Sequence, residues 1–125
     1  MASRVLCSAA VAFLLVGCGP GKLNENKKYE MEGGDAQVVD LPSVSKAQKV
    51  TVEFSSSAED ITVLLFKEED AKGDEALFSA KPEKALGQKR GMKESFTVDV
   101  PENTATRVII RGVGKKTEVQ LKITN

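Results

Sequence analysis

The side chains of this 125-residue chain that could do chemistry are mostly oxygen acids, because histidine is absent and the cysteines are only Cys7 and Cys18. Ser-His-Asp and Cys-His catalysis are thereby excluded, and ordinary zinc sites lack their ligands. Glu68-Glu69-Asp70 and Asp74-Glu75 are neighbouring acids of the kind that hydrolyse glycosides when two carboxyls stand about 5–9 Å apart across a cleft. Glu59 and Asp60, with Asp35 or Asp40, are the candidates for calcium. That ion takes about six to eight oxygens, and no Asp-x-Asp-x-Asp spacing supplies them. Arg107 and Arg111 share one face of any strand that holds both, either as an anion contact or as part of a polar outer surface. No sugar-stacking aromatics accompany the acids, and mixed-sign charge is normally solvated surface. The expectation is no catalytic residue, no metal, no cofactor and no enzyme.

The remaining reactive group is the thiol of Cys18, and its setting is distinctive. Arg4 and the amino terminus make a positive start, and Val5 to Val16 is apolar but for Ser8. A positive start, a short apolar core and a small residue before the cut define a secretory signal, too short to span a bilayer. The run ends in Leu15-Val16-Gly17-Cys18, which resembles the lipobox of bacterial lipoproteins. The alternative is an ordinary secretory signal that happens to contain a cysteine. The resemblance implies a diacylglyceryl group on the Cys18 sulfur, cleavage of residues 1–17 and acylation of the new amine. Two or more acyl chains anchor stably, at about 0.8 kcal/mol per buried CH₂. It further implies a place in the bacterial cell envelope, on the periplasmic or extracellular face. Glycine rather than aspartate at position 19 favours the outer membrane where there is one.

Removing residues 1–17 leaves a chain of single-domain size. Arg4 is the one basic residue lost and no acid goes with it, so the 18 acids then outnumber the bases by one. That balance excludes the basic excess expected of a nucleic-acid binder. With Cys7 removed and Cys18 converted to a thioether, no thiol remains for a disulfide, and core packing must hold the domain.

Gly19 to Lys28 is polar and rich in Gly, Pro, Asn and Lys. It reads as a flexible tether spanning roughly 33 Å when extended. The domain is expected over residues 29–125. Gln37 to Leu41 reads as a short strand closed by Pro42. Lys49 to Ser55 alternates, with Val50, Val52 and Phe54 pointing in and Thr51, Glu53 and Ser55 out. Ile61 to Phe66 is apolar on nearly both faces and belongs in the middle of a sheet. Lys67 to Glu94 mixes charges with Gly and Pro and reads as a solvated loop. Within it, Glu75 to Ser79 is a possible strand and Glu83 to Gln88 a helical turn. Alternation returns at Phe96, Val98 and Val100, a turn follows at Pro101 to Thr104, and strands close the chain at Arg107–Arg111 and Thr117–Thr124. The pattern predicts an all-β fold, a small antiparallel β-sandwich of seven or eight strands.

The order of these segments is similar to that of the bacterial pre-peptidase C-terminal domain and the collagen-binding modules related to it. The matching pieces are Val39-Asp40-Leu41, Lys49 to Phe54, Glu59 to Leu65, Phe96 to Thr104, Val108 to Gly112 and Val119 to Ile123. That family implies a jelly-roll-like sandwich. It usually carries aromatics where this chain has Thr104-Ala105-Thr106 and Val119. Aromatics dominate binding hot spots, so collagen binding is not carried over. The resulting expectation is a non-catalytic module on a membrane anchor, binding a protein or polysaccharide through a sandwich face or the 67–94 segment. The alternative is an accessory subunit of an envelope complex, with a carboxylate enzyme a distant third.

Replacement of Cys18 by Ser is expected to leave an uncleaved precursor or a soluble species. Phase partitioning of the expressed protein in detergent measures this, and wild-type processing of the variant would exclude lipidation.

Overall fold

The computed structural model describes residues 23–73 and 75–125. Eight strands run along the chain: β1 (Asn24–Met31), β2 (Gln37–Leu41), β3 (Gln48–Ser56), β4 (Ile61–Lys67), β5 (Gly87–Gly91), β6 (Lys93–Val100), β7 (Thr106–Arg111) and β8 (Thr117–Thr124). One short helix, α1 (Ala76–Ser79), lies between β4 and β5. The strands form two four-stranded sheets, β1-β8-β3-β6 and β2-β7-β4-β5, with every pairing antiparallel.

This order is a long two-stranded ribbon rolled up on itself. Along the ribbon β1 pairs β8, β2 pairs β7, β3 pairs β6 and β4 pairs β5. Rolling then adds the β3–β8 and β4–β7 pairings that close each sheet. It is a jelly-roll arrangement of the β-sandwich that the alternating pattern predicts. Val50, Val52 and Phe54 of β3, Val98 and Val100 of β6, and Val119, Leu121 and Ile123 of β8 all point inward. They meet Val63 and Leu65 of β4 and Val108 and Ile110 of β7 from the second sheet. Each such side chain, fully buried, contributes roughly 1.5–3 kcal/mol. The buried hydroxyls of Ser56 and Thr117 bond each other at 2.6 Å, so polarity inside the sandwich is satisfied.

Three expectations are corrected. The stretch read as tether through Lys28 is already strand from Asn24, and the backbone N–H of Leu23 bonds the Asn125 side chain at 2.8 Å. An edge strand with one wet face needs few apolar residues, and β1 offers only Tyr29 and Met31 to the core. Glu75 to Ser79 is the site of α1 rather than a strand, and the helical turn falls at Pro82–Lys84. Residues 87–91 (Gly-Gln-Lys-Arg-Gly) form β5, an edge strand without an apolar side chain. Gly87 lies so close to Val98 and Phe96 of β6 that a β-carbon would collide with both side chains. The chain crosses from the second sheet to the first after Gly91, at Met92.

The segment between β4 and β5 is an excursion from the ribbon's tip, and it lies on the outer face of the second sheet. Ala71, Ala76 and Ala80 pack on Leu64, Phe66 and Ile109, forming a second apolar cluster. Leu64 and Phe66 are 0% exposed although they point away from the sandwich interior. The central-strand reading of β4 therefore holds for both faces, and part of the presumed solvated loop is what keeps the outer one dry.

Val63→Asp and Leu64→Asp are each expected to abolish cooperative unfolding, since an unpaired buried carboxylate costs several kcal/mol against a total of about 5–15 kcal/mol. Thr51→Asp, on the wet face of β3, is expected to shift stability by no more than about 1 kcal/mol. Thermal denaturation followed by circular dichroism checks all three.

Candidate functional site

The two outer sheet faces have opposite fates. That of the second sheet is closed by the chain's own cover. That of the first sheet is open and polar, and it holds a cleft of about 720 Å³ lined by all four strands.

The register builds this cleft row by row. One row runs Lys28, Gln120, Ser55, Lys93 across β1, β8, β3 and β6. The next runs Asn26, Lys122, Glu53, Ser95. Strand alternation sends these eight side chains outward while Phe54 and Leu121, between them in sequence, remain buried in the core. Strands lie about 4.8 Å apart, so a row spans roughly 14 Å from β1 to β6. Lys28 reaches Glu118 beside the cleft at 3.4 Å. Among the described residues, Lys93 and Lys122 take part in no ion pair. Farther along the face, charge is paired off by Lys49–Asp99 at 2.8 Å, and the Thr51 and Thr97 hydroxyls bond at 2.9 Å.

The acids considered for calcium do not converge. A Glu59 carboxylate oxygen accepts the backbone N–H groups of Gly114 and Lys115, each at 2.6 Å, which pins the turn between β7 and β8. Asp35 accepts the N–H of Glu32 at 2.8 Å within its own turn, and Asp60 is exposed beside Glu59. Asp40 accepts from Nε of Arg107 at 2.7 Å. Of the acids considered for hydrolysis, Glu68 and Glu69 line a smaller depression of about 300 Å³ with Ser43 and Asn103. Asp70 is half-buried on the same turn, Glu75 is exposed before α1, and Asp74 lies outside the described residues, as does Cys18.

Arg107 and Arg111 do share one face of β7, but they serve the cover. Nη1 of Arg107 donates to the carbonyls of Ala71 at 2.7 Å and Gly73 at 3.1 Å, and its side chain is only 11% exposed. Nη2 of Arg111 donates to the Ala80 carbonyl at 2.8 Å, while its Nη1 is buried with no partner among the described residues. Sequence alternation places both on the outer face but gives no sign that chain from another part of the sequence lies over them. The cleft was missed for a similar reason. Its side chains come from four strands, and each strand separately looks like an ordinary wet face.

No protein-family model and no curated sequence matches this chain. Among solved structures, the chain is similar to PliG of Aeromonas hydrophila, a periplasmic lysozyme inhibitor of g-type lysozyme. The TM-score is 0.59 at 15% identity, covering 83% of this chain and 87% of that one. At that identity the likeness is one of fold, a β-sandwich shared with a bacterial periplasmic protein.

Arg107→Met removes the donor to Asp40, Ala71 and Gly73. It is expected to cost about 1–3 kcal/mol and to speed amide hydrogen exchange at Ala80 and Ala85 ahead of that in β3 and β8. Uniform loss of protection would show instead that the cover does not open separately.

Proposed function

We propose that this chain is a lipid-anchored bacterial envelope protein. Its single sandwich, with no catalytic role, binds a protein or polysaccharide of the envelope or extracellular space through the open face of the first sheet. The observation that carries this reading is the asymmetry of the two outer faces. Among the described residues, the chain closes the apolar one itself and leaves the other uncovered, with a cleft built from four strands. The fold likeness to a periplasmic inhibitor of g-type lysozyme supports a binding module over an enzyme. So does the work of the acids, since Glu59, Asp35 and Asp40 hold turns and an arginine. The lipobox resemblance supplies the anchor, and the similarity to the pre-peptidase C-terminal domain supplies a precedent for a sandwich of this kind used as an appended module.

Anchoring and cleft are linked by chain length. The domain is held from Leu23 onward, so at most about 18 Å of chain separates it from Cys18. The cleft wall formed by β1 follows at once, and a partner bound there lies near the membrane.

The test is affinity capture from detergent-solubilised native membranes, with wild-type protein and with Ser55→Trp, which fills the cleft floor. Retention of a protein or polysaccharide by wild type and its loss with Ser55→Trp is the expected result. One stoichiometric protein partner kept by both would favour the accessory-subunit reading and remove the cleft from it. Purified g-type lysozyme is a direct further probe, by residual lytic activity at increasing sandwich concentration.

A further inference from the structure

The cleft's chemistry narrows its occupant, given the reading of the open sheet face as the binding surface. Four lysines line it (Lys27, Lys28, Lys93 and Lys122) against two acids, Glu53 and Glu94. Of the side chains that point out into it, three are lysines and one is a glutamate. Each lysine comes from a different strand, and Lys28 and Lys93 end one row with Gln120 and Ser55 between them. Lysine is a compact, hydrated point charge with three donors, suited to single anionic groups. An amide and a hydroxyl between two such charges, across roughly 14 Å, suit a ligand that carries hydroxyls between its anions.

What the face lacks decides the class of polymer. Phe54, Phe96 and Tyr29 sit on these same strands but pack with the core on the other side of the sheet. Among the described residues, Phe54 and Leu121 line the cleft but are only 3% and 2% exposed, so it presents no ring on which a neutral sugar can stack. It also has no apolar anchor of the kind that forms the centre of most protein interfaces.

We infer that the cleft binds a linear anionic polysaccharide, lying across the strands with successive acidic groups at Lys28, Lys122 and Lys93. Glu53, beside Lys122 in the second row, and Glu118, paired with Lys28 at 3.4 Å, oppose that binding and limit its strength.

The test is isothermal titration of the soluble domain with polygalacturonate oligosaccharides at low salt, with neutral dextran and poly-glutamate of matched length as comparisons. Binding of the polyuronate, absence of dextran binding and weaker poly-glutamate binding are expected. Lys93→Gln with Lys122→Gln should weaken polyuronate binding about tenfold, and Glu53→Gln should strengthen it about threefold. Lys115→Gln with Lys116→Gln, on the turn between β7 and β8, should change nothing, and melting curves confirm that each variant is folded. Equal binding of poly-glutamate, or equal loss in both lysine pairs, would overturn the inference, because charge alone would then suffice. Membrane capture separates the two readings. If Lys93→Gln with Lys122→Gln abolishes capture of a native partner but polyuronate does not bind, the sheet face survives and the anionic glycan is excluded. If neither capture nor polyuronate binding changes, both are excluded.

Discussion

Strand β4 cannot tolerate water on either side. Val63 and Leu65 fill the space between the sheets, while Leu64 and Phe66 point the opposite way and are equally buried. An antiparallel sheet in a sandwich normally leaves its outer face to solvent. Here that face needs a roof, and the excursion between β4 and β5 supplies one. The roof offers mainly alanines, whose small side chains let its backbone come close to Leu64, Phe66 and Ile109. Close backbone brings carbonyl groups near the sheet, and two arginines of β7 bond them. The apolar contact and the arginine bonds thus depend on the same approach distance.

The same economy appears at the end of the sandwich farthest from Leu23. The described residues hold no cysteine, and turns among them are locked by side chains reaching between them. Glu59 holds the turn at Gly114 and Lys115, and Thr117 accepts the N–H of Ala58 at 3.0 Å while bonding Ser56. Gly112 opens that turn with a φ of +80°, a conformation that costs a residue with a β-carbon and costs glycine little. The result is a frame whose strand register is well defined at both ends. A defined register is what gives the open face of the first sheet a fixed pattern of charges rather than a shifting one.

Function is read from what the frame leaves over. Several titratable groups singled out for their chemistry hold the frame, as Glu59, Asp40, Arg107 and Arg111 do. Groups on the first sheet's outer face hold little of it. Among the described residues, Lys93 and Lys122 there take part in no ion pair, and their strands are secured by the core on the opposite side. The proposed binding surface is this polar face, whose cleft is lined by four strands.

Strict alternation at β3, β6 and β8, and the continuous apolar run of β4, were enough to read the strands, their inward faces and the sandwich from sequence. These signals are local, because a strand's burial pattern repeats every two residues and appears in any stretch of four or more. The edge strands β1 and β5 were not legible, since an edge needs few apolar residues and β5 has none. The roof was not legible either. Ala71, Ala76 and Ala80 sit among charges and do not mark themselves as buried, and only the outward-facing Leu64 and Phe66 made cover necessary. The cleft was the least legible feature. Lys28, Lys93 and Lys122 are far apart in the chain, and only the pairing of β1, β8, β3 and β6 brings them into neighbouring rows. Sequence thus determined which strands form and which way they face, because those are properties of single segments. Tertiary structure alone decided which sheet face is roofed and which charges meet, because both depend on contacts between segments remote in sequence.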